Sequence, residues 1–212
     1  MISKPLLGLL AMTIATSASA ATIYYDDTNA NPTQGIFFSS GHYDSIGDLI
    51  HLASTGTANQ AVVQFVNQGL AFGTFDAQLD IYAYDSTNLI GAQLGSDFVA
   101  ASNSITSGGS TNVTFSLGNL AVSQDLVFLV QQLNVSNGLD LGLSLYDPPS
   151  VGTSDNGFLV VGGGRGGVGT LDGPSFNVFF QLSAADAPEP STLVLLAAGV
   201  GTLSFLRYRR RA

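Results

Sequence analysis

Apolar and polar residues alternate with a period of two in short stretches along residues 22–182, and this pattern restricts the possible folds more than any other feature. Val113, Phe115 and Leu117 alternate with polar neighbours, and residues 78–84 follow the same pattern. A period of two places every second side chain on one face of a β-strand. The Gly, Asn, Asp and Ser residues that bound the stretches favour turns. Because helical periodicity is absent, we predict an antiparallel all-β domain.

These stretches predict about ten strands, a number that fits a two-sheet β-sandwich or jelly roll, with a closed barrel as the alternative. Residues 60–66 and 126–133 are nearly continuous apolar runs, which are typical of central strands covered on both faces. Residues 103–112, where Ser and Thr stand among glycines, are predicted to form a long loop. The residues expected to point into the core are Leu79, Ile81, Ala83, Val113, Phe115, Leu117, Leu141, Leu143, Leu145, Phe176, Val178 and Phe180.

Charge is distributed unevenly along the chain. The chain has six Lys and Arg residues, and Arg165 is the only one of them between residues 21 and 187. Every acidic residue except Glu189 is an aspartate, so the middle of the chain is strongly acidic. Such a surface repels the phosphate backbone, and we therefore exclude nucleic acid as a partner.

The aspartates have two interpretations. Aspartate favours turns and strand ends because its carboxylate accepts hydrogen bonds from nearby backbone N–H groups. The alternative is calcium, which takes oxygen ligands only, although no EF-hand loop is present. No resident cofactor or metal is otherwise predicted. The groups that could supply calcium ligands are Asp26 with Asp27, Asp76 with Asp80 and Asp85, and Asp147 with Asp155.

The amino end has the three parts of a secretory signal peptide. Lys4 supplies a short positive region, residues 6–15 are apolar, and Ala18 and Ala20 form a small-residue cleavage site. We predict export through the Sec translocon and cleavage by signal peptidase after Ala20. An uncleaved membrane anchor is the alternative, but the apolar run is short for a span.

The carboxyl end combines three features in order. Pro188, Glu189 and Pro190 precede residues 192–206, which carry no charge and are long enough for a marginal membrane span. The terminal cluster of Arg207, Arg209, Arg210 and Arg211 follows, and the positive-inside rule keeps it in the cytoplasm. The prolines hold the tripeptide extended and outside the adjacent helix. A plain tail anchor is the alternative interpretation.

These residues, 188–212, resemble the PEP-CTERM sorting signal of Gram-negative bacteria, since the Pro-Glu-Pro motif, the apolar segment and the Arg cluster stand in the family's order. The resemblance implies recognition by an exosortase, which cuts near the Pro-Glu-Pro motif. It also implies an association with exopolysaccharide and biofilm. We therefore expect an inner-membrane-anchored precursor that becomes a cell-surface or extracellular-matrix protein.

The predicted organisation has four parts. Residues 1–20 form the signal peptide and residues 21–183 the β-sandwich passenger domain. Residues 184–187 are a linker, and residues 188–212 are the sorting signal with one transmembrane helix. We expect the passenger domain to have a structural role, and the alternative is a carbohydrate-binding or calcium-dependent adhesin module.

Tyr82 and Tyr84 are the candidate ligand-binding residues. They share one face of the predicted strand at 78–84, opposite Leu79 and Ile81. A tyrosine ring on a β-sandwich can stack on a sugar ring and hydrogen-bond through its hydroxyl group. The alternative is that both tyrosines pack under a second layer of the protein.

We predict no catalytic residues. The only histidines are His42 and His51, there is no cysteine, and no G-x-S-x-G elbow is present. Gly162, Gly164 and Gly167 match the dinucleotide pattern G-x-G-x-x-G, but the residues that follow cannot begin the helix which that fold requires. The chain is therefore predicted not to be an enzyme.

Overall fold

Fourteen β-strands and one single-turn helix make up the described part of the domain, which is taken from a computed structural model. The structure describes residues 21–28, 34–146, 148–155, 158–162, 168–171 and 177–184. Its elements are β1 (Ile23–Asp26), β2 (Gln34–Phe37), α1 (Phe38–Gly41), β3 (Tyr43–His51), β4 (Gly56–Asn67), β5 (Gly73–Asp85), β6 (Leu89–Ile105), β7 (Ser110–Val122), β8 (Asp125–Leu133), β9 (Leu141–Tyr146), β10 (Thr153–Ser154), β11 (Phe158–Gly162), β12 (Val168–Leu171), β13 (Asn177–Val178) and β14 (Phe180–Ser183).

The strands form two antiparallel sheets. Sheet 1 contains β1, β2, β4, β7, β9, β13 and β14, and its long strand β4 pairs with β7 along one edge and with β14 and then β9 along the other. Sheet 2 has the order β12-β11-β3-β8-β5-β6, with β10 also paired to β3. The predicted antiparallel two-sheet β-sandwich is confirmed.

Aromatic rings from both sheets meet in the core between them. Phe128 of β8 stacks on Phe180 of β14, with ring centroids 3.9 Å apart and an interplanar angle of 7°. Phe65 of β4 contacts Phe75 of β5 at 4.8 Å between centroids. The described residues that we predicted to be in the core are buried, except that Ala83 and Leu117 are half-buried. Phe176 lies outside the described residues.

The two predicted central strands differ from each other. In β8, Leu126, Phe128 and Val130 face the core, while Val127 and Leu129 are buried in a second apolar cluster on the outer face of sheet 2. The prediction for this strand is confirmed. In β4, burial alternates residue by residue, so only one face is fully covered. Residues 60–66 do form a central strand, since β4 is paired along both edges. The predicted cover on both faces is wrong, because the outward valines and glutamines are half-exposed.

The predicted long loop at 103–112 is also wrong. The strand β6 continues to Ile105 and β7 begins at Ser110, which leaves a four-residue turn. The turn uses Gly108 in a left-handed conformation with φ +65°, and Gly109 N–H donates to Thr106 O at 3.1 Å. Of the five Ser and Thr residues that suggested a loop, Ser104, Ser110 and Thr111 lie in the strands, and only Thr106 and Ser107 lie in the turn.

Candidate functional site

The outer face of sheet 2 carries a row of polar and aromatic side chains. In β5, Phe75, Ala77, Leu79 and Ile81 point into the core, so alternation turns the residues between them outward. Gln93 of β6 pairs with Tyr82, and Gln131 of β8 pairs with Gln78, which brings them to the same face. We call this the amide–tyrosine face; it consists of Gln78, Asp80, Tyr82, Tyr84, Gln93 and Gln131.

Asp80 is the centre of this face. Its carboxylate accepts hydrogen bonds from Nε2 of Gln78 at 3.1 Å, from Nε2 of Gln93 at 3.0 Å and from Nε2 of Gln131 at 3.5 Å. These amides leave Asp80 only 3% exposed although it lies on an outer face. A carboxylate only accepts hydrogen bonds, so each amide turns its NH₂ group toward Asp80 and keeps its carbonyl oxygen as an acceptor.

Tyr82 and Tyr84 border the second apolar cluster of sheet 2. Leu49, Val127, Leu129 and Leu159 are the buried members of that cluster, and the two tyrosines pack against it half-buried. The packing interpretation therefore applies in part, since each tyrosine is half-buried against this cluster. The exposed part of each side chain leaves ligand binding as a prediction. Partial burial, and then the charge of Asp80, raise the pKa of Tyr82, so its hydroxyl stays protonated at neutral pH.

An exposed phenylalanine extends the amide–tyrosine face. Phe98 of β6 is 50% exposed and stands opposite Gln78 in the strand register. Directly paired residues of antiparallel strands project from the same face. The distance along β5 from Gln78 to Tyr84 is about 20 Å at the usual rise per residue, which gives an elongated surface with aromatic rings at both ends and amide oxygens between them.

His51 is held between two carboxylates at the end of β3. Its Nδ1 lies 2.8 Å from Asp125 Oδ1 and its Nε2 lies 3.3 Å from Asp155 Oδ1. The hydrogen bond to Asp125 raises the pKa of His51, and Asp155 adds to this effect against the opposing effect of partial burial. His42 is exposed and stands after α1 with φ 54°. His51 is therefore the last residue of a strand, and His42 follows a single helical turn.

The His51 contacts predict a pH-dependent stability. A histidine whose pKa is raised by folding stabilises the folded state fully below its unfolded pKa near 6.5, and this contribution disappears as the pH rises through the folded value. We expect His51→Gln to lower the unfolding midpoint by about 2 °C at pH 5.5, as for partly exposed pairs in a domain of this size, and by less at pH 8.5. His42→Gln is the control, and an equal loss at both pH values would contradict the assignment.

Most of the aspartates proposed as calcium ligands accept hydrogen bonds from other groups of the protein. Asp26 caps a turn by accepting the Thr28 N–H at 3.0 Å, and Asp85 accepts the Thr87 N–H at 2.7 Å. The hydrogen bond from Thr87, followed by that from Asn88, lowers the pKa of Asp85. Asp76 accepts from the Asn134 amide. Asp76 and Asp80 are four residues apart on β5, and Asp85 points to the opposite face of the strand. The three carboxylates therefore do not meet at one position.

The part of the chain that the structure describes contains no group of three or more His, Asp or Glu side chains arranged to hold a metal ion. Asp155 is engaged with His51, and Asp147 lies outside the described residues. The predicted three-aspartate group at 76, 80 and 85 therefore does not assemble.

Sequence reasoning missed a polar cluster inside the sandwich. Asp48 of β3 points into the core between Ile46 and Ile50 and is 1% exposed, and Tyr25 and Asp27 near it are fully buried. Burial, and then the charges of Asp48 and Asp27, raise the pKa of Tyr25. The signal was present in the sequence: an aspartate occupies an inward position of an apolar, alternating strand.

Several predicted features fall outside the described residues. These are the cleavage site at Ala18 and Ala20, the tripeptide Pro188, Glu189 and Pro190, the cluster of Arg207, Arg209, Arg210 and Arg211, and the glycines Gly164 and Gly167. Within the described ranges, no helix has the length and apolar character needed to cross a membrane. The sequence-based assignments of the two ends therefore stay predictions.

Comparison with known proteins gives little further information. No family model and no curated protein matches the chain. A chain in the structure of infectious bursal disease virus Gt strain is similar at 15% sequence identity with a TM-score of 0.27. The match covers 92% of this chain and 52% of the viral one, so this chain spans about half the length of that neighbour. A similarity of this size does not bear on function.

Proposed function

We propose that this chain is an exported, non-enzymatic protein of the cell surface or extracellular matrix. In this proposal its β-sandwich is displayed after an exosortase recognises the tail. The observation that carries the proposal is the ordered set of Pro188, Glu189 and Pro190, the uncharged segment 192–206 and the terminal arginine cluster. The signal-peptide pattern at 1–20 requires the same topology, with the acidic domain outside and the arginines inside.

The described domain is compatible with a structural role. Both ring nitrogens of His51 are engaged by carboxylates, and Asp26 and Asp85 hold turns rather than converging on a cleft. In this proposal the protein acts as a stable, acidic β-sandwich that is held beside exopolysaccharide. The inner membrane is a transient partner of the precursor.

The proposal predicts proteolytic processing at both ends. In cells that contain an exosortase, the mass of the surface protein is expected to show the loss of residues 1–20 and of the residues that follow a cut near Pro188 to Pro190, with 208–212 among them. Replacing Pro188 and Pro190 together by alanine is expected to leave a membrane-attached precursor. Thr192→Ala is the matched control within the tail. Release of the same mature domain from the double variant would contradict sorting through this motif.

The amide–tyrosine face favours a second candidate function, the binding of a neutral glycan. Tyr82, Tyr84 and Phe98 offer exposed ring surface, and Gln78 and Gln93 offer carbonyl oxygens that hydroxyl groups can donate to. The described ranges contain no lysine or arginine. An anionic polysaccharide is therefore repelled, whereas a neutral one carries no such penalty.

Glycan binding is tested by titrating neutral exopolysaccharide fragments into the exported protein. We expect Tyr82→Ala and Gln93→Ala each to raise Kd about tenfold, which corresponds to about 1.4 kcal/mol. Gln124→Ala, in the exposed turn between β7 and β8, is the matched control and is expected to leave Kd unchanged. Equal affinities for all four proteins would exclude this face as the binding site.

A further inference from the structure

One carboxylic acid, Asp48 of β3, is enclosed between the two sheets. It shares the inward face of β3 with Ile46 and Ile50 of the hydrophobic core, and it is 1% exposed. The strand is covered on both edges, since β8 pairs along one side and β11 and β10 pair along the other. Tyr25 of β1, which is fully buried, lies near it in sheet 1. The carboxyl group is therefore held away from bulk water.

The two carboxyl oxygens of Asp48 differ in their contacts. Oδ1 accepts the Leu49 N–H at 2.7 Å, whereas Oδ2 is buried and has no hydrogen-bond partner. A buried carboxylate is stabilised when backbone N–H groups donate to its oxygens, and it is destabilising when an oxygen has no such donor. A proton on Oδ2 removes the charge and requires no movement of either sheet. The geometry therefore favours the neutral acid.

The surroundings of Asp48 favour the neutral acid as well. Burial raises the pKa of its carboxyl group well above the usual range, and the charges of Asp27 and Asp155 add to this effect. The N–H groups of Leu49 and Val178 oppose it, because they favour the charged form. Burial is the largest of these effects, so the conclusion does not depend on the other contacts that Asp27 makes.

The elements packed against β3 bring few titratable residues to this position. β8 carries only Asp125, which binds His51, and α1, β10, β11 and β13 carry none. Tyr25 stays protonated at neutral pH, because burial, followed by the charge of Asp48, raises its pKa. The other titratable residues of β3 itself are at least partly exposed, and they are Tyr43, Asp44 and His51. Asp48 is thus the titratable residue of β3 that the core encloses.

We propose that Asp48 carries a proton in the folded domain at neutral pH and that this proton stabilises the contact between the two sheets. Loss of the proton leaves a buried charge, which is stabilised only if water enters. Tyr25, the neighbour of Asp48 in sheet 1, belongs to β1, a four-residue strand at the edge of that sheet. β1 is therefore the strand that loosens when Asp48 ionises. This inference does not depend on the proposed export or glycan binding.

The test compares the unfolding of the purified full-length chain with that of Asp48→Asn, whose side chain keeps its shape and cannot ionise. A group whose pKa is raised by folding stabilises the folded state fully below its unfolded value of 3.8, and this contribution is lost as the pH rises through the folded value. We therefore expect the ratio of the unfolding equilibrium constants, wild type over Asp48→Asn, to rise about 100-fold between about pH 5 and pH 7.

Asp76→Asn is the matched control for this comparison. Asp76 is also a buried aspartate, and it accepts a hydrogen bond from the Asn134 amide. The ratio of unfolding constants, wild type over Asp76→Asn, is expected to stay constant between the same two pH values. A constant ratio for Asp48→Asn would overturn the proposal.

Two measurements on the wild-type protein keep the proposal testable if Asp48→Asn fails to fold. With ¹³C-labelled aspartate, the carboxyl resonance of Asp48, assigned through its own backbone, is expected to show the protonated form at neutral pH. Amide hydrogen exchange is expected to lose protection in β1 before β8 as the pH is raised further, because β8 lies inside sheet 2. An ionised Asp48 carboxyl group at neutral pH, or an equal loss of protection in both strands, would overturn the proposal.

Discussion

Replacing Phe128 with alanine is expected to lower the free energy of unfolding by about 3–5 kcal/mol, the usual range for a large core aromatic residue. Phe128 is 1% exposed and stacks on the fully buried Phe180 with ring centroids 3.9 Å apart. The pair joins β8 of sheet 2 to β14 of sheet 1. The substitution removes one of the aromatic contacts between the sheets and leaves a cavity in the core.

Urea unfolding of the purified protein measures this effect. Phe98→Ala is the matched control, because Phe98 is half exposed on the outer face of sheet 2. Its loss is expected to cost less than about 1 kcal/mol, as is usual for surface substitutions. If both phenylalanine variants lost equal stability, the Phe128–Phe180 stack would not be a main stabilising contact between the sheets.

Replacing Gly47 with alanine is expected to destabilise the domain by about 3 kcal/mol or more, at the upper end of overpacking effects. A Cβ atom at Gly47 would lie 1.7 Å from the carbonyl oxygen of Phe128 and 2.9 Å from the Cα of Leu129. Both obstructing atoms belong to the backbone of β8, so no side-chain rotation relieves the clash. The central β3–β8 ladder would have to separate.

Gly118→Ala provides the contrast for this prediction. Gly118 has φ +63° but an added Cβ would meet nothing within 4 Å. The expected loss of stability for Gly118→Ala is therefore only the strain of an alanine in the left-handed conformation, about 1–2 kcal/mol. Denaturant midpoints and slopes for the two variants separate the mechanisms. Equal midpoints would show that β3 and β8 can move apart more easily than the structure indicates.

Much of the fold could be predicted because alternation is a local property. The alternation around Val113 and Leu143 predicts strands with one buried face, and both residues lie in the core. The failures occurred where local composition is ambiguous. Ser and Thr at 103–112 suit an exposed strand as well as a loop, and the apolar run at 60–66 does not reveal that its outer face lacks a covering layer.

The candidate site, like the fold, could be predicted from the sequence only in part. The shared face of Tyr82 and Tyr84 follows from strand parity, and this could be read from the sequence. The environment of Asp80 could not, since its amide partners Gln93 and Gln131 are 13 and 51 positions away along the chain. Neighbouring strands brought these residues into register, and no local pattern specifies which amide meets which carboxylate.

By itself the sequence determined the all-β class and the acidic character of the domain, and it predicts export and sorting signals at the two ends, because each of these depends on residues close together in the chain. Only the tertiary structure decided which aspartates are used in turns and which are buried together. Asp48 and Asp27 come near each other only because both are buried between the two sheets. Burial depends on the pairing of distant strands, and so it is invisible to periodicity and composition.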